Sequence, residues 1–161
     1  MTIKVGDHVP QATFTTMTKD GPVQQTADAV FKGRTVVIFA VPGAFTPTCH
    51  KNHLPGFLDK ADAFKAKGVD TLAVTGVNDV FVMDAWARDA KAGDKIVFLA
   101  DGSGHFAKAL GLDLDLGDRG MGLRSQRYSM LVKDGVVERL NIEETPGKAD
   151  LSGADHILAQ I

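Results

Sequence analysis

The run Thr35-Val-Val-Ile-Phe-Ala-Val41 constrains this chain more than any other segment. Seven residues, nearly all apolar and rich in β-branching, show no alternation between a wet and a dry face. Such a run suits a central parallel strand covered on both sides, so helices must pack against the sheet that contains it. Directly after it, Val41-Pro42-Gly43-Ala44-Phe45-Thr46-Pro47-Thr48-Cys49 leads away from the strand. Thr46-Pro47 reads as a helix N-cap and first helical residue, because proline there loses no helical hydrogen bond and has its φ preset.

The helix so begun is expected to run to about Lys67, with Leu54, Phe57, Leu58, Ala61 and Phe64 along its apolar side and Gly68 as its C-cap. Pro55 must remove one backbone bond and bend the axis. Upstream, Ala12 to Thr18 alternates at period two before the turn signal Lys19-Asp20-Gly21-Pro22, which predicts an N-terminal hairpin ending near Gln25. Thr26 then caps a short helix through Phe31.

Downstream, the pattern predicts a strand over Val69–Thr75 and a helix over Val80–Ala92, with Phe81, Ala85, Trp86 and Ala90 broadly on one side. A third strand follows over Ile96–Ala100, then a short helix over Phe106–Leu110 and a long loop over Gly111–Gly122. Tyr128–Lys133 and Val136–Asn141 bracket Asp134-Gly135, a strong hairpin signal. Ser152–Ile161 closes the chain as a helix with Ile157, Leu158 and Ile161 turned inward. The expected architecture is α/β: a central mixed β-sheet flanked by helices, with an N-terminal β-hairpin.

At 161 residues and 44% hydrophobic content the chain forms one domain, 1–161, able to bury a core without disulfides or a structural metal. A formal net charge of −2 gives no positive field to gather phosphates, so neither nucleic acid nor an anionic membrane is expected as a partner. A small uncharged substrate fits better. No stretch approaches the roughly 20 apolar residues of a membrane helix. Met1-Thr-Ile-Lys-Val lacks the basic-then-apolar layout of a signal peptide, and a cytoplasmic location is expected.

One cysteine excludes an intrachain disulfide and any multi-cysteine metal site within a chain, so Cys49 is either buried filler or a reactive thiol. With Thr46 as N-cap, Cys49 stands at the third helical position, among free N–H groups and the positive end of the helix dipole. Such positions, helped by nearby cations, can lower a cysteine pKa from about 8.5 to roughly 3.5–7.5 and create the nucleophilic thiolate. The spacing of three also places the Thr46 hydroxyl on the same face as the sulfur.

The segment PGAFTPTC matches the peroxiredoxin pattern Pro-x-x-x-Thr-x-x-Cys through Pro42, Thr46 and Cys49. The wider VPGAFTPTCHKNHLPGF resembles the type II, peroxiredoxin-5-like branch, as do Lys67-Gly68-Val69, Val77-Asn78-Asp79-Val80-Phe81-Val82 and Arg127-Tyr128-Ser129-Met130. The resemblance covers nearly the whole chain and implies a thioredoxin-like fold. It also implies a thiol peroxidase in which Cys49 attacks a peroxide and becomes a sulfenic acid, with no metal or organic cofactor required.

In that scheme Pro42 shields the sulfur, and Arg127 stabilises the thiolate and the charge moving onto the peroxide oxygens. Thr46, Thr48 and the backbone N–H groups of the first helical turn bind substrate. Arg124 is a possible assistant to Arg127, and Arg119 is expected to face solvent. Many relatives carry a second cysteine to resolve the sulfenic acid, and this chain has none. Regeneration therefore falls to an external thiol, with glutathione and glutaredoxin favoured and thioredoxin as the other candidate. The branch also implies a homodimer.

The alternative from another class is a redox sensor or interaction module oxidised at Cys49 without efficient turnover. Exchange in the manner of thioredoxin is weakened by the absence of a Cys-x-x-Cys pair. His50 and His53 beside Cys49 are too few for a closed zinc site, and a spacing of four does not aim His53 at the sulfur for a Cys–His hydrolase. The glycine-rich segments at Asp101 and Gly117 lack the register of a phosphate-binding loop. Trp86 and the phenylalanines at helical spacing read as core or subunit-contact residues.

Overall fold

A computed structural model describes residues 1–161. In chain order its elements are β1 Thr13–Thr18, β2 Gly21–Thr26, α1 Ala27–Phe31, β3 Thr35–Val41, a π turn over Cys49–His53, α2 Leu54–Asp59, α3 Ala61–Ala66 and β4 Thr71–Gly76. There follow α4 Val80–Asp89, β5 Val97–Ala100, α5 His105–Leu110, β6 Asp113–Leu116, a 3-10 turn Gly117–Arg119, β7 Gly122–Ser125, β8 Tyr128–Lys133, β9 Val136–Ile142 and α6 Ala154–Leu158.

The Thr35–Val41 run is β3 over all seven residues, and Val36 to Val41 are buried. It pairs in parallel with β4 and antiparallel with β8, inside a mixed sheet of order β2-β1-β5-β4-β3-β8-β9. Successive β3 side chains serve opposite cores, as a strand covered on both faces must. Val37, Phe39 and Val41 pack with Leu54, Phe57, Phe64, Met83 and Trp86 from the helices on one face. Val36, Ile38 and Ala40 pack with Phe14, Phe31, Phe106 and Leu110 on the other.

The N-terminal hairpin and the Thr26 cap form as expected, with the Thr26 hydroxyl accepting from the Ala29 N–H at 3.2 Å. Asp134 and Gly135 take φ values of 47° and 79°, the paired positive angles of a type I′ turn between β8 and β9.

Four expectations need correction. The helix from Pro47 is not continuous: the Leu54 N–H reaches back five residues to the Cys49 carbonyl, and Lys60 separates α2 from α3. Pro55 comes one residue after the π turn; with no N–H of its own and a ring that crowds the preceding carbonyls, it is accommodated by a widened turn rather than a simple bend. The predicted Gly111–Gly122 loop contains β6 and the 3-10 turn, and β6 pairs with β7 in a small second sheet. In that segment Asp113-Leu-Asp-Leu116 alternates, yet only Leu116 is buried, so its apolar content is too small to stand out. Helix α4 ends at Asp89 and buries Val80, Met83 and Trp86, leaving Phe81 64% exposed. The closing helix is confined to Ala154–Leu158, with Ile157 buried and Leu158 and Ile161 half-buried.

Candidate active site

The C-terminal end of β3 delivers the Pro42–Cys49 segment, and contacts from three directions shape it. Pro42 is buried, and its carbonyl accepts from Arg124 Nη1 at 3.4 Å while Arg124 Nε donates to the Met121 carbonyl at 2.9 Å. The Ala44 N–H donates to Asn78 Oδ1 at 2.8 Å. A Cβ on Gly43 would lie 3.0 Å from Arg124 Nη1 and 3.1 Å from Thr46 Cγ2, so a side chain there would press on both. Phe45 then takes φ +64°, a left-handed conformation that costs a large side chain energy and is typical of over-determined functional turns. This turn aims Thr46 at the helix that starts at Pro47, where the His50 N–H reaches the Thr46 carbonyl at 2.8 Å.

Cys49 is fully buried, and its sulfur receives two donors: Thr46 Oγ1 at 2.7 Å and Arg127 Nη2 at 2.9 Å. The Thr46 hydroxyl also lies 2.7 Å from the Gly43 carbonyl. A hydroxyl has one proton. With a thiol, that proton goes to Gly43 and the S–H donates to Oγ1; with a thiolate, it turns to the sulfur. Thr46 can therefore follow charge on Cys49 without moving.

Sheet register brings in the arginine. Tyr128 pairs with Ala40, so the residue before it stands beside the end of β3, next to the cysteine segment. Arg127 is 2% exposed and all three guanidinium nitrogens are engaged: Nε with the Pro146 carbonyl at 3.0 Å, Nη1 with His53 Nδ1 at 3.0 Å and Nη2 with the sulfur. No carboxylate lies within ion-pair distance of it. A buried cation without a counterion is costly. Negative charge on Cys49 supplies one.

His53 is the residue that sequence reasoning set aside. It is buried, and its Nε2 lies 2.9 Å from the Ser152 carbonyl while Nδ1 faces Arg127. Arginine only donates and a carbonyl only accepts, so these partners together select the neutral Nε2–H tautomer. The ring titrates at about 3, lowered chiefly by burial and further by the Arg127 charge. His53 thus holds the guanidinium rather than the sulfur. Its signal in the sequence was only its place four residues after Cys49.

Of the other residues singled out from the sequence, Arg124 braces Pro42 and does not reach the sulfur. Thr48 donates to the Gly147 carbonyl at 2.8 Å, tying the helix start to the 144–150 segment. His50 accepts from Trp86 Nε1 at 3.1 Å and lies 3.6 Å from Asp89, so the two histidines have separate partners.

The Redoxin family model matches residues 4–158. Peroxiredoxin-2C of Oryza sativa is 45% identical, with 97% of this chain and 96% of the relative covered. The chain belongs to the peroxiredoxins. This peroxiredoxin is also 44% identical to the chloroplastic peroxiredoxin-2E of Arabidopsis thaliana over 98% of its own length and 69% of the relative. Its fold is that of reduced Prx3 of Vibrio vulnificus, solved in complex with hydrogen peroxide: TM-score 0.93, 49% identity, 98% of each chain covered. The expected type II resemblance and thioredoxin-like fold both hold, and the activity of this peroxiredoxin is that of a thiol peroxidase.

Proposed function

We propose that this peroxiredoxin reduces hydrogen peroxide and organic hydroperoxides through a Cys49 sulfenic acid, and that an external thiol, glutathione with glutaredoxin, regenerates it. The carrying observation is the convergence of Thr46 Oγ1 and Arg127 Nη2 on one buried sulfur. The thiolate attacks the terminal peroxide oxygen; the S–O bond forms as the O–O bond breaks, and the hydroxide or alkoxide released takes a proton from water. Negative charge passes from sulfur to the departing oxygen. Arg127, already held by His53 and Pro146, meets that charge without reorganising, which is where preorganised sites gain most. Pro42, buried behind the turn, helps keep the sulfur from bulk water.

A first thiol then displaces water from the sulfenic acid to give a mixed disulfide, and a second thiol opens it, returning the Cys49 thiol and one disulfide. The single cysteine supports an external source for both. Glutathione is favoured over thioredoxin as the first thiol because it is small enough to approach a sulfur set inside the fold. A homodimer belongs to the same reading, supported by the exposed aromatic ring of Phe45 beside the site and that of Phe81 on α4.

The test is steady-state consumption of hydrogen peroxide and tert-butyl hydroperoxide with glutathione plus glutaredoxin, and separately with thioredoxin and its reductase, in wild type and Cys49→Ser. Many turnovers with glutathione, abolished by the substitution, are expected. Turnover with thioredoxin alone would overturn the choice of reductant, and one oxidation without turnover would mark a sensor.

A further inference from the structure

The geometry points to Glu143 and Ser152 as positioning residues for the arginine that holds the Cys49 sulfur. The inference rests on the peroxidase reading and extends it beyond the residues that touch substrate.

Glu143 is a carboxylate just past β9, 7% exposed. Its Oε2 accepts both the Ser152 N–H at 2.7 Å and the Ser152 hydroxyl at 2.6 Å. Ser152 is fully buried, and its carbonyl is the acceptor for His53 Nε2. The Glu143 backbone N–H donates to the Arg127 carbonyl at 2.9 Å, so the same residue also fixes the arginine main chain. A continuous buried path results: Glu143 fixes Ser152, Ser152 fixes the His53 tautomer, and His53 accepts from Arg127 Nη1.

The burial of Glu143 has no other evident purpose, since a carboxylate is seldom kept from water without a partner that needs it. No cation lies within ion-pair distance of it; both bonds to its side chain come from one serine. Without those bonds Ser152 could turn, and His53 would lose the acceptor that keeps its proton on Nε2. An Nδ1–H tautomer would face a guanidinium N–H, donor against donor, and push Arg127 off the sulfur. Misplacement of about an ångström in such a group is enough to slow a reaction up to about a hundredfold.

Because both bonds go to one oxygen, the idea separates hydrogen bonding from charge: glutamine can keep both bonds, and alanine cannot. The experiment compares wild type, Glu143→Ala and Glu143→Gln, with the His53 tautomer read from ¹⁵N-histidine spectra and Cys49 oxidation by hydrogen peroxide timed by stopped flow. Glu143→Ala is expected to mix the tautomers and slow oxidation about tenfold or more, and Glu143→Gln to restore both within about threefold. If Glu143→Ala does not fold, Ser152→Ala, which deletes only the hydroxyl bond, carries the same two readouts. A folded variant with an unchanged rate, a slowed rate with an unchanged tautomer, or a glutamine variant as slow as alanine overturns the proposal. A wild-type sulfur inert to peroxide would instead sink the peroxidase reading, while the spectra still decide whether Glu143 and Ser152 set the ring.

Discussion

Arg127 and Cys49, 78 residues apart, meet through a 2.9 Å contact between Nη2 and the sulfur, with both side chains buried. The other two guanidinium nitrogens are held by Pro146 and His53, so the arginine arrives at the sulfur already oriented. A lysine carries the charge but cannot make this three-way contact. Arg127→Lys is expected to slow oxidation of Cys49 by hydrogen peroxide about 10²-fold or more, the size of loss seen when one preorganised donor is removed. Stopped-flow rates decide it; a loss below about fivefold would show that charge alone suffices.

Thr46 offers a cleaner dissection, because its hydroxyl lies 2.7 Å from both the sulfur and the Gly43 carbonyl. Thr46→Val keeps the shape and removes the proton. It should slow the peroxide reaction by about ten- to a hundredfold, the net worth of one hydrogen bond to a charged group being about 1.5–3 kcal/mol. Thr46→Ser should stay within a few-fold of wild type. A loss in Thr46→Ser with none in Thr46→Val would point to packing by the Thr46 methyl instead.

The neutral His53 ring makes stability depend on pH with a definite sign. Its folded value is about 3 against 6.5 for a free ring, lowered by burial and then by Arg127. Between those values the unfolded chain binds the extra proton, so this contribution is fully present above about pH 6.5 and is lost as pH falls toward 3, at up to roughly 1.4 kcal/mol per unit. Asp101 acts oppositely: burial raises its carboxyl, so its native state holds a proton longer and its contribution declines as pH rises above 3.8. Comparing wild type with His53→Gln cancels Asp101. Denaturant unfolding from pH 7 to pH 4 should show wild type losing stability faster than the variant, and parallel curves would refute a neutral buried ring.

Trp86, the sole tryptophan, is buried and donates to His50, the residue after Cys49. Oxidation of the sulfur adds an oxygen to a fully buried atom in the turn that carries His50. One equivalent of peroxide should therefore change Trp86 emission in wild type and leave Cys49→Ser unaltered. A sulfur oxidised completely, by thiol titration, with no spectral change would show that the two are uncoupled.

Phe57 stacks on Phe39 of β3 with ring centres 3.9 Å apart and the planes 4° from parallel, and lies 5.6 Å from Phe64. This column fastens the helices after the π turn to the sheet. Phe57→Ala should reduce the free energy of unfolding by about 3–5 kcal/mol. Since His53 lies 5.5 Å from Phe57, the same variant should also slow the peroxide reaction. A loss under about 1 kcal/mol in denaturant titration would mean that the column refills.

What could be read from the sequence is what neighbouring residues settle among themselves. The β3 run, the Thr26 cap and the Asp134-Gly135 turn are each decided within a few residues by φ/ψ preference, side-chain capping and apolar spacing. Thr46 and Cys49 share that legibility, because a spacing of three at a helix start puts them together whatever the rest of the chain does. The β6–β7 pair was missed because it buries little, and the helix break was missed because a proline within an apolar pattern does not say whether the turn bends or widens.

The remainder of the site belongs to tertiary structure. Arg127 reaches the sulfur because β8 runs antiparallel to β3 in one register, and a slip of one residue would turn it to the other face. Resemblance pointed to Arg127, whereas no spacing rule marked His53, Pro146, Ser152 or Glu143 as its supports. These groups lie 9 to 99 residues from their partners. Sequence thus determined the nucleophile and the turn that presents it. The fold alone decided what surrounds the sulfur, because hydrogen bonds between distant segments form only after sheet register and helix packing have set where each backbone passes.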